Sequence, residues 1–303
     1  MIAINPVLAP EVREALAGGR GVVALESTLI AQGLPWPDNL ETAREAEAAV
    51  RQAGATPATI AIVGGVTRIG LGEAELERVA RSGSYLKASR RDLASAIARG
   101  LDAATTVSAT LWIARKHGLT LMATGGLGGV HREASATFDI STDLDELARA
   151  DGTVVVCSGF KSILDLPATL EVLETRGVPI IGYQTGELPA FTTASSGLAL
   201  ETRVETVAEA AGLVQAHRAL GLPGAMVLAQ PVPGDVALDR DLMETALAAA
   251  MAEARARGIN GKAVTPFLLD WIRQATEGRS LRANRALIVA NARLAGELAA
   301  ALL

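Results

Sequence analysis

The stretch Thr153-Val154-Val155-Val156-Cys157-Ser158-Gly159-Phe160-Lys161 joins an unbroken apolar, β-branched run to an abrupt polar loop. A strand with one wet face alternates apolar and polar residues, so an unbroken run predicts a strand covered on both faces. Runs of this kind recur at Gly21–Leu25 (GVVAL), Thr59–Val63 (TIAIV), Leu119–Ala123 (LTLMA), Val178–Ile181 (VPII) and Ala225–Leu228 (AMVL). Helical patterns lie between them. Asp38 and Asn39 offer caps to a helix reaching about Gln52. Further helices are predicted over Glu73–Arg81, Thr106–Lys116, Ser162–Thr175, Val204–Ala219 and Arg240–Arg257, with an Ala/Leu-rich helix after Ser280. Strands alternating with helices require crossover connections, which make a sheet mainly parallel. The expectation is an α/β fold: one domain over residues 1–303, its mainly parallel central sheet covered by helices on both faces in α-β-α layers.

Composition narrows the function. Half of the 303 residues are apolar and only 3% are aromatic, enough for a large core of the helix-on-sheet kind. A net charge of −5 argues against a general nucleic-acid surface, but leaves room for a small anion held by a local basic cluster. Cys157 is the only cysteine, which excludes an intrachain disulfide and fits a reducing compartment. The N-terminal MIAINPVLAPEVREAL lacks a signal-peptide pattern, and no apolar run is long enough to span a bilayer. A cytoplasmic protein with no membrane partner is expected.

Ligands of open α/β sheets sit beyond the carboxyl ends of the strands, and those positions are unusually polar here. Glu26-Ser27-Thr28 follows the first strand, placing a carboxylate where a general acid or base would stand, or where a cap or ion pair would. Lys87-Ala88-Ser89-Arg90-Arg91-Asp92 clusters cations fit for a phosphate or for a solvated face. Thr124-Gly125-Gly126-Leu127-Gly128-Gly129-Val130-His131-Arg132 reads as an anion cradle or a tight turn; it is neither a Walker loop nor a dinucleotide fingerprint. His117 and His217 read as surface helix residues. Phe138-Asp139-Ile140-Ser141-Thr142-Asp143 sets two carboxylates around two hydroxyls, suited to Mg²⁺ or Mn²⁺ or to capping a helix at Ser141 or Thr142. Lys161, just past a buried strand, is placed for partial desolvation and Schiff-base chemistry, or for pairing with Asp165.

The order of these pieces resembles the pseudouridine-5′-phosphate glycosidases from about Val22 to Leu303. The matching stretches are VALESTLIAQGLPWPDN, GATPATIAIVGG, KASRRDL, TTVSAT, ATGGLGGVHR, TFDISTDL, VVVCSGFKSILDL, GVPIIGYQTGELPAF, GKAVTPFLL and SLRAN. The resemblance implies reversible cleavage of the C–C glycosidic bond of pseudouridine 5′-phosphate to uracil and ribose 5-phosphate, through a lysine Schiff base on a ring-opened ribose. It makes Glu26 the proton donor and Lys161 the covalent nucleophile. Lys87, Val107 and Ser141-Thr142-Asp143 match substrate-binding positions, and His131 and Asn284 fall in motifs implying supporting contacts. Asp139 matches the ligand of one Mn²⁺ per subunit, and a homotrimer is implied. The phosphate is expected near the Gly125–Gly129 amides and Ser89, Arg90 and Arg91. One departure is Ala194, close to where relatives carry an arginine.

Two rival readings differ in class. A ribokinase-type sugar kinase would need a Gly-Ala-Gly-Asp anion hole in the C-terminal third, where this chain reads GKAVTPFLLDW. A non-catalytic ribose-phosphate sensor would have no use for a post-strand Glu, Lys and Asp together.

Overall fold

The computed structural model describes residues 5–259 and 261–303. Its strands, in chain order, are β1 (Val7–Leu8), β2 (Val22–Glu26), β3 (Thr56–Val63), β4 (Val66–Ile69), β5 (Leu86–Ala88), β6 (Ala103–Thr105), β7 (Leu121–Ala123), β8 (Val154–Cys157), β9 (Ile180–Tyr183), β10 (Thr202–Val204) and β11 (Met226–Ala229). Among the described residues they form one 11-stranded sheet in the order β1-β4-β3-β2-β7-β8-β11-β9-β10, with β6 also on β3 and β5 on β6. Pairing is parallel except where β3 meets β4 and β6. The mainly parallel α/β expectation holds, and the predicted strands sit within a few residues of their places.

Unbroken apolar runs are explained by burial on both sides. Val22 and Ala24 of β2 enter one core with Met122, Val155, Cys157 and Val227. Val23 and Leu25 enter the other with Leu121, Ala123, Val154, Val156, Met226 and Leu228. Helices Val107–Lys116, Thr142–Leu147 and Arg240–Ala256 contribute to the first layer. Asp38–Gln52, Val207–Leu220 and the C-terminal Arg279–Ala301 contribute to the second.

Some local expectations are corrected. Asp38 and Asn39 do not cap their helix: Pro37 holds that position, and Asp38 instead accepts an ion pair from Arg285. Buried Asn39 donates to the carbonyls of Ile30 and Ala80, pinning the helix to neighbouring segments. The helix expected from Ser162 starts at Leu166, because Asp165 is its cap and accepts from the Ala168 amide. His217 is buried rather than on the surface.

The feature that positions the site is a seam. β3 outruns β2: its register with β2 ends at Glu26↔Ile60, and beyond that point β6 pairs with it antiparallel at Ala61↔Ala104 and Ile62↔Ala103. The carboxyl ends of β2 and β6 therefore face each other beside Ile60. A buried hydroxyl cluster fills the gap. Ser27 Oγ and Thr105 Oγ1 both donate to the Ile60 carbonyl, at 2.7 and 2.6 Å. The Thr105 amide donates to Ser27 Oγ at 2.9 Å, and Thr110 Oγ1 to Thr105 Oγ1 at 2.9 Å. Buried polar groups cost free energy unless each finds a partner, and these do. Thr105→Val keeps the shape and removes the hydroxyl, so it should cost about 1–3 kcal/mol of stability in urea denaturation.

Candidate active site

Facing strand ends bring four loops to one place. A cavity of about 400 Å³ opens beyond them. Its wall includes Glu26 from β2, Lys87 from β5, Val107 beyond β6, the glycine loop and His131 beyond β7, and Lys161 beyond β8. Asp139, Ser141, Thr142 and Asp143 close one side, and Asn284 of the C-terminal helix closes another. The residues to which the resemblance gave catalytic, substrate-binding or metal-binding roles thus all line the same cavity.

Glu26 is a buried carboxylate with no ion-pair partner in bonding range among the described residues. Strand β7 lies beside β2 with Ala123 opposite Leu25, so the next residue, Thr124, reaches Glu26 and donates its hydroxyl to Oε1. Burial holds the Glu26 carboxyl above its ordinary value of 4.5. The nearby charges of Lys161 and Lys87 and the Thr124 bond oppose that rise, while the negative charge of Asp143 adds to it. A carboxyl that binds its proton more tightly than in water is fit to serve as a general acid.

Lys161 sits in a turn, not on a helix. Its amide donates to the Leu127 carbonyl at 3.1 Å, and its own carbonyl accepts from the Leu164 amide at 3.0 Å. Preceding Gly159 has φ +73, and a Cβ there would lie 1.9 Å from the Pro189 carbonyl oxygen. Only glycine fits, and that fit aims the following lysine into the cavity. Pairing with Asp165 is not seen, since Asp165 caps the next helix.

The glycine loop holds an anion of the protein's own. Asp143, buried at the start of helix Thr142–Leu147, accepts from the Gly128 amide through Oδ2 and from the Ser108 amide through Oδ1, each at 3.0 Å. The Leu127, Val130 and His131 amides are likewise bonded to protein oxygens. The expectation of a cradle free to receive phosphate is corrected at these positions. The glycines serve close packing: a Cβ would meet Phe191 at 2.6 Å from Gly126, Ser141 Oγ at 2.3 Å from Gly128 and Thr169 Oγ1 at 2.5 Å from Gly129. Ser141 caps its helix by accepting from the Asp143 amide, and Thr142 Oγ1 lies 3.1 Å from Ser108 Oγ.

The basic cluster divides. Lys87, Ser89 and Arg91 line the cavity, whereas Arg90 turns inward, its Nε 3.1 Å from a carboxylate oxygen of fully buried Glu146. Ala194 is exposed and outside the cavity wall.

His131 Nε2 stands 3.9 Å from Asp139 Oδ2. Burial lowers the His131 pKa, with Lys161 and Lys87 pushing the same way and Asp139 opposing. Neutral imidazole beside a half-buried carboxylate suits a divalent cation. Among the described residues no group of three or more His, Cys, Asp or Glu gathers to form a closed metal cage. A cation held here would keep several waters, as hard oxygen-seeking ions do.

Residues unread in the sequence complete the walls: Gln32, Leu164, Phe191, Thr265, Leu269 and Ile288 line the cavity. Thr124 was readable only as the start of a glycine loop, since its pairing with Glu26 depends on which strands adjoin. Among the described residues no helix is long and apolar enough to cross a membrane.

The model of the family described as indigoidine synthase A like protein matches residues 11–301. The chain is 54% identical to the pseudouridine-5′-phosphate glycosidase of Caldanaerobacter subterraneus subsp. tengcongensis, over 96% of this chain and 95% of that protein. It is 53% identical to the enzyme of the same name from Herpetosiphon aurantiacus, over 98% and 97%. Among solved structures, the prealnumycin C-glycosynthase AlnA in complex with ribulose 5-phosphate superposes with a TM-score of 0.90 at 41% identity, covering 99% of this chain and 97% of that one. An indigoidine synthase A-like protein of Thermotoga maritima gives 0.86 at 38% identity, covering 93% and 92%.

A raised carboxyl pKa has a stability consequence. Above 4.5 the unfolded chain gives up the Glu26 proton more readily than the folded chain does, so stability falls as pH rises from there through the raised folded-state pKa. Glu26→Gln keeps an acceptor for Thr124 and removes the buried charge. It should melt above the parent at about pH 8, and the advantage should shrink towards about pH 4.

Proposed function

We propose, from the premise that this chain belongs to the indigoidine synthase A like protein family, that it is a pseudouridine-5′-phosphate glycosidase. The observation that carries this reading is one cavity holding both a buried carboxyl whose pKa is raised, Glu26, and a lysine side chain, Lys161, whose charge acts on that carboxyl. Curated relatives about half identical over nearly their whole length bear that name. The C-glycosynthase solved with ribulose 5-phosphate supports both a carbon–carbon glycosidic bond and a pentose phosphate.

A carbon-linked base has no heteroatom to leave on, so protonation and water attack alone would be slow. In the cleavage direction the Lys161 amine adds to C1′ as the C1′–O4′ bond breaks, and O4′ takes up a proton. Uracil C5 then receives a proton, and the amine lone pair forms C1′=N⁺ as the C1′–C5 bond breaks. Water hydrolyses the iminium, releasing ribose 5-phosphate and restoring the lysine. Glu26 is the group that moves protons at O4′ and C5. The net reaction consumes one water and needs no oxidant. Lys87 and Arg91 supply the positive charge for the phosphate, with the neutral Ser89 hydroxyl beside them. Asp139, with neutral His131 beside it, would hold a Mn²⁺, which when bound neutralises negative charge on the substrate. Ser141, Thr142, Val107 and Asn284 shape the remaining walls. A homotrimer in the cytoplasm completes the proposal, on family resemblance.

Incubation with pseudouridine 5′-phosphate and Mn²⁺ should release free uracil; no release would overturn the assignment. Glu26→Gln should slow that release by about a hundredfold to ten-thousandfold. Borohydride with ribose 5-phosphate should label Lys161 and nothing in Lys161→Ala, as read by peptide mass spectrometry. Labelling elsewhere would refute the nucleophile. Asp139→Asn should raise the Mn²⁺ concentration needed for half-maximal rate.

A further inference from the structure

The C-terminal helix carries a fully buried amide side chain that the reaction as proposed does not use. Asn291 is wholly buried in a face otherwise made of Leu287, Ile288, Ala292, Leu294, Ala295 and Leu298. Packing alone would favour a leucine there, since a buried amide is costly unless each of its groups is bonded. This amide is bonded on both sides. Nδ2 donates to the Thr124 carbonyl at 2.8 Å and lies 3.3 Å from the Gly125 carbonyl and 3.2 Å from Ser158 Oγ. Oδ1 accepts from Gln230 Nε2 at 2.8 Å and from Ser158 Oγ at 3.3 Å.

These partners are the residues directly after β7, β8 and β11, three neighbouring strands. Two of them lead into the chemistry. Thr124 donates its hydroxyl to Glu26, and Ser158 opens the turn that ends in Lys161. We infer that Asn291 is a positioning residue: by holding the Thr124 peptide and Ser158, it sets the hydroxyl that bonds Glu26 and keeps the acid and the amine in register. The inference rests on the assignment of Glu26 as proton donor.

The charges around Glu26 are Lys161, Lys87 and Asp143, and none touches Asn291. The Thr124 bond is one of the influences that holds the Glu26 carboxyl down, so losing its alignment raises that carboxyl further. The readout is the titration of Glu26 itself, followed by infrared spectroscopy on the carboxyl band that Glu26→Gln removes. Asn291→Leu fills the same space without polar groups; Asn291→Ser serves if the leucine variant does not fold.

Either variant should move the Glu26 titration to higher pH, as Thr124→Val does, and lower kcat by on the order of tenfold to a hundredfold with little change in KM. The double variant with Thr124→Val should move it no further than Thr124→Val alone, because both act through one bond. An unmoved titration, or shifts that add in the double variant, would overturn the inference. The titration needs no turnover, so a chain that releases no uracil would refute the glycosidase assignment while leaving this result to stand or fall by itself.

Discussion

Strand β3 is longer than its neighbour β2, and that difference in length organises the molecule. Where β2 stops, β6 comes in from the opposite direction to cover the exposed edge of β3. In a purely parallel sheet every carboxyl end points one way, and side chains reach a ligand from one side. Here two carboxyl ends confront each other, so groups from β2 and β6 converge across a short gap. Hydroxyls rather than apolar groups fill it because the Ile60 carbonyl lies between the two ends and must be satisfied.

The layering was legible because burial on both faces leaves a mark in each strand. Val22 through Leu25 feed two cores by turns, and nothing but continuous apolarity would serve. The short elements left no such mark. β6 is three residues of Ala and Thr, and its antiparallel course is set by β3, forty residues upstream. The helix after Lys161 starts later than its pattern suggests for a local reason: Asp165 takes the cap, and the Lys161 and Asp165 amides donate to the Leu127 and Val130 carbonyls of the glycine loop.

The site was legible in its parts and not in their connections. Residue type and post-strand position marked Glu26 and Lys161 as candidates beside blander readings, the family resemblance gave them and Asp139 their roles, and all three line one cavity. Position along the chain carries no information about which lateral neighbour a strand acquires, so Thr124 and Asn291 were out of reach. Arg90 and Arg91 show the same limit. They are adjacent and identical in type, yet one bonds buried Glu146 and the other faces the cavity. Helical geometry, not charge, separates them.

Asp143 spends its two oxygens on amides from separate segments, one in the glycine loop and one at the head of helix Val107–Lys116. The pair behaves as a rivet through two plates. Removing the Asp143 side chain would leave two buried N–H donors, those of Gly128 and Ser108, without their acceptor, at a cost of about 1–3 kcal/mol each. The carboxylate thus ties the glycine loop to the helix head, so that two segments far apart in the chain keep one fixed spacing.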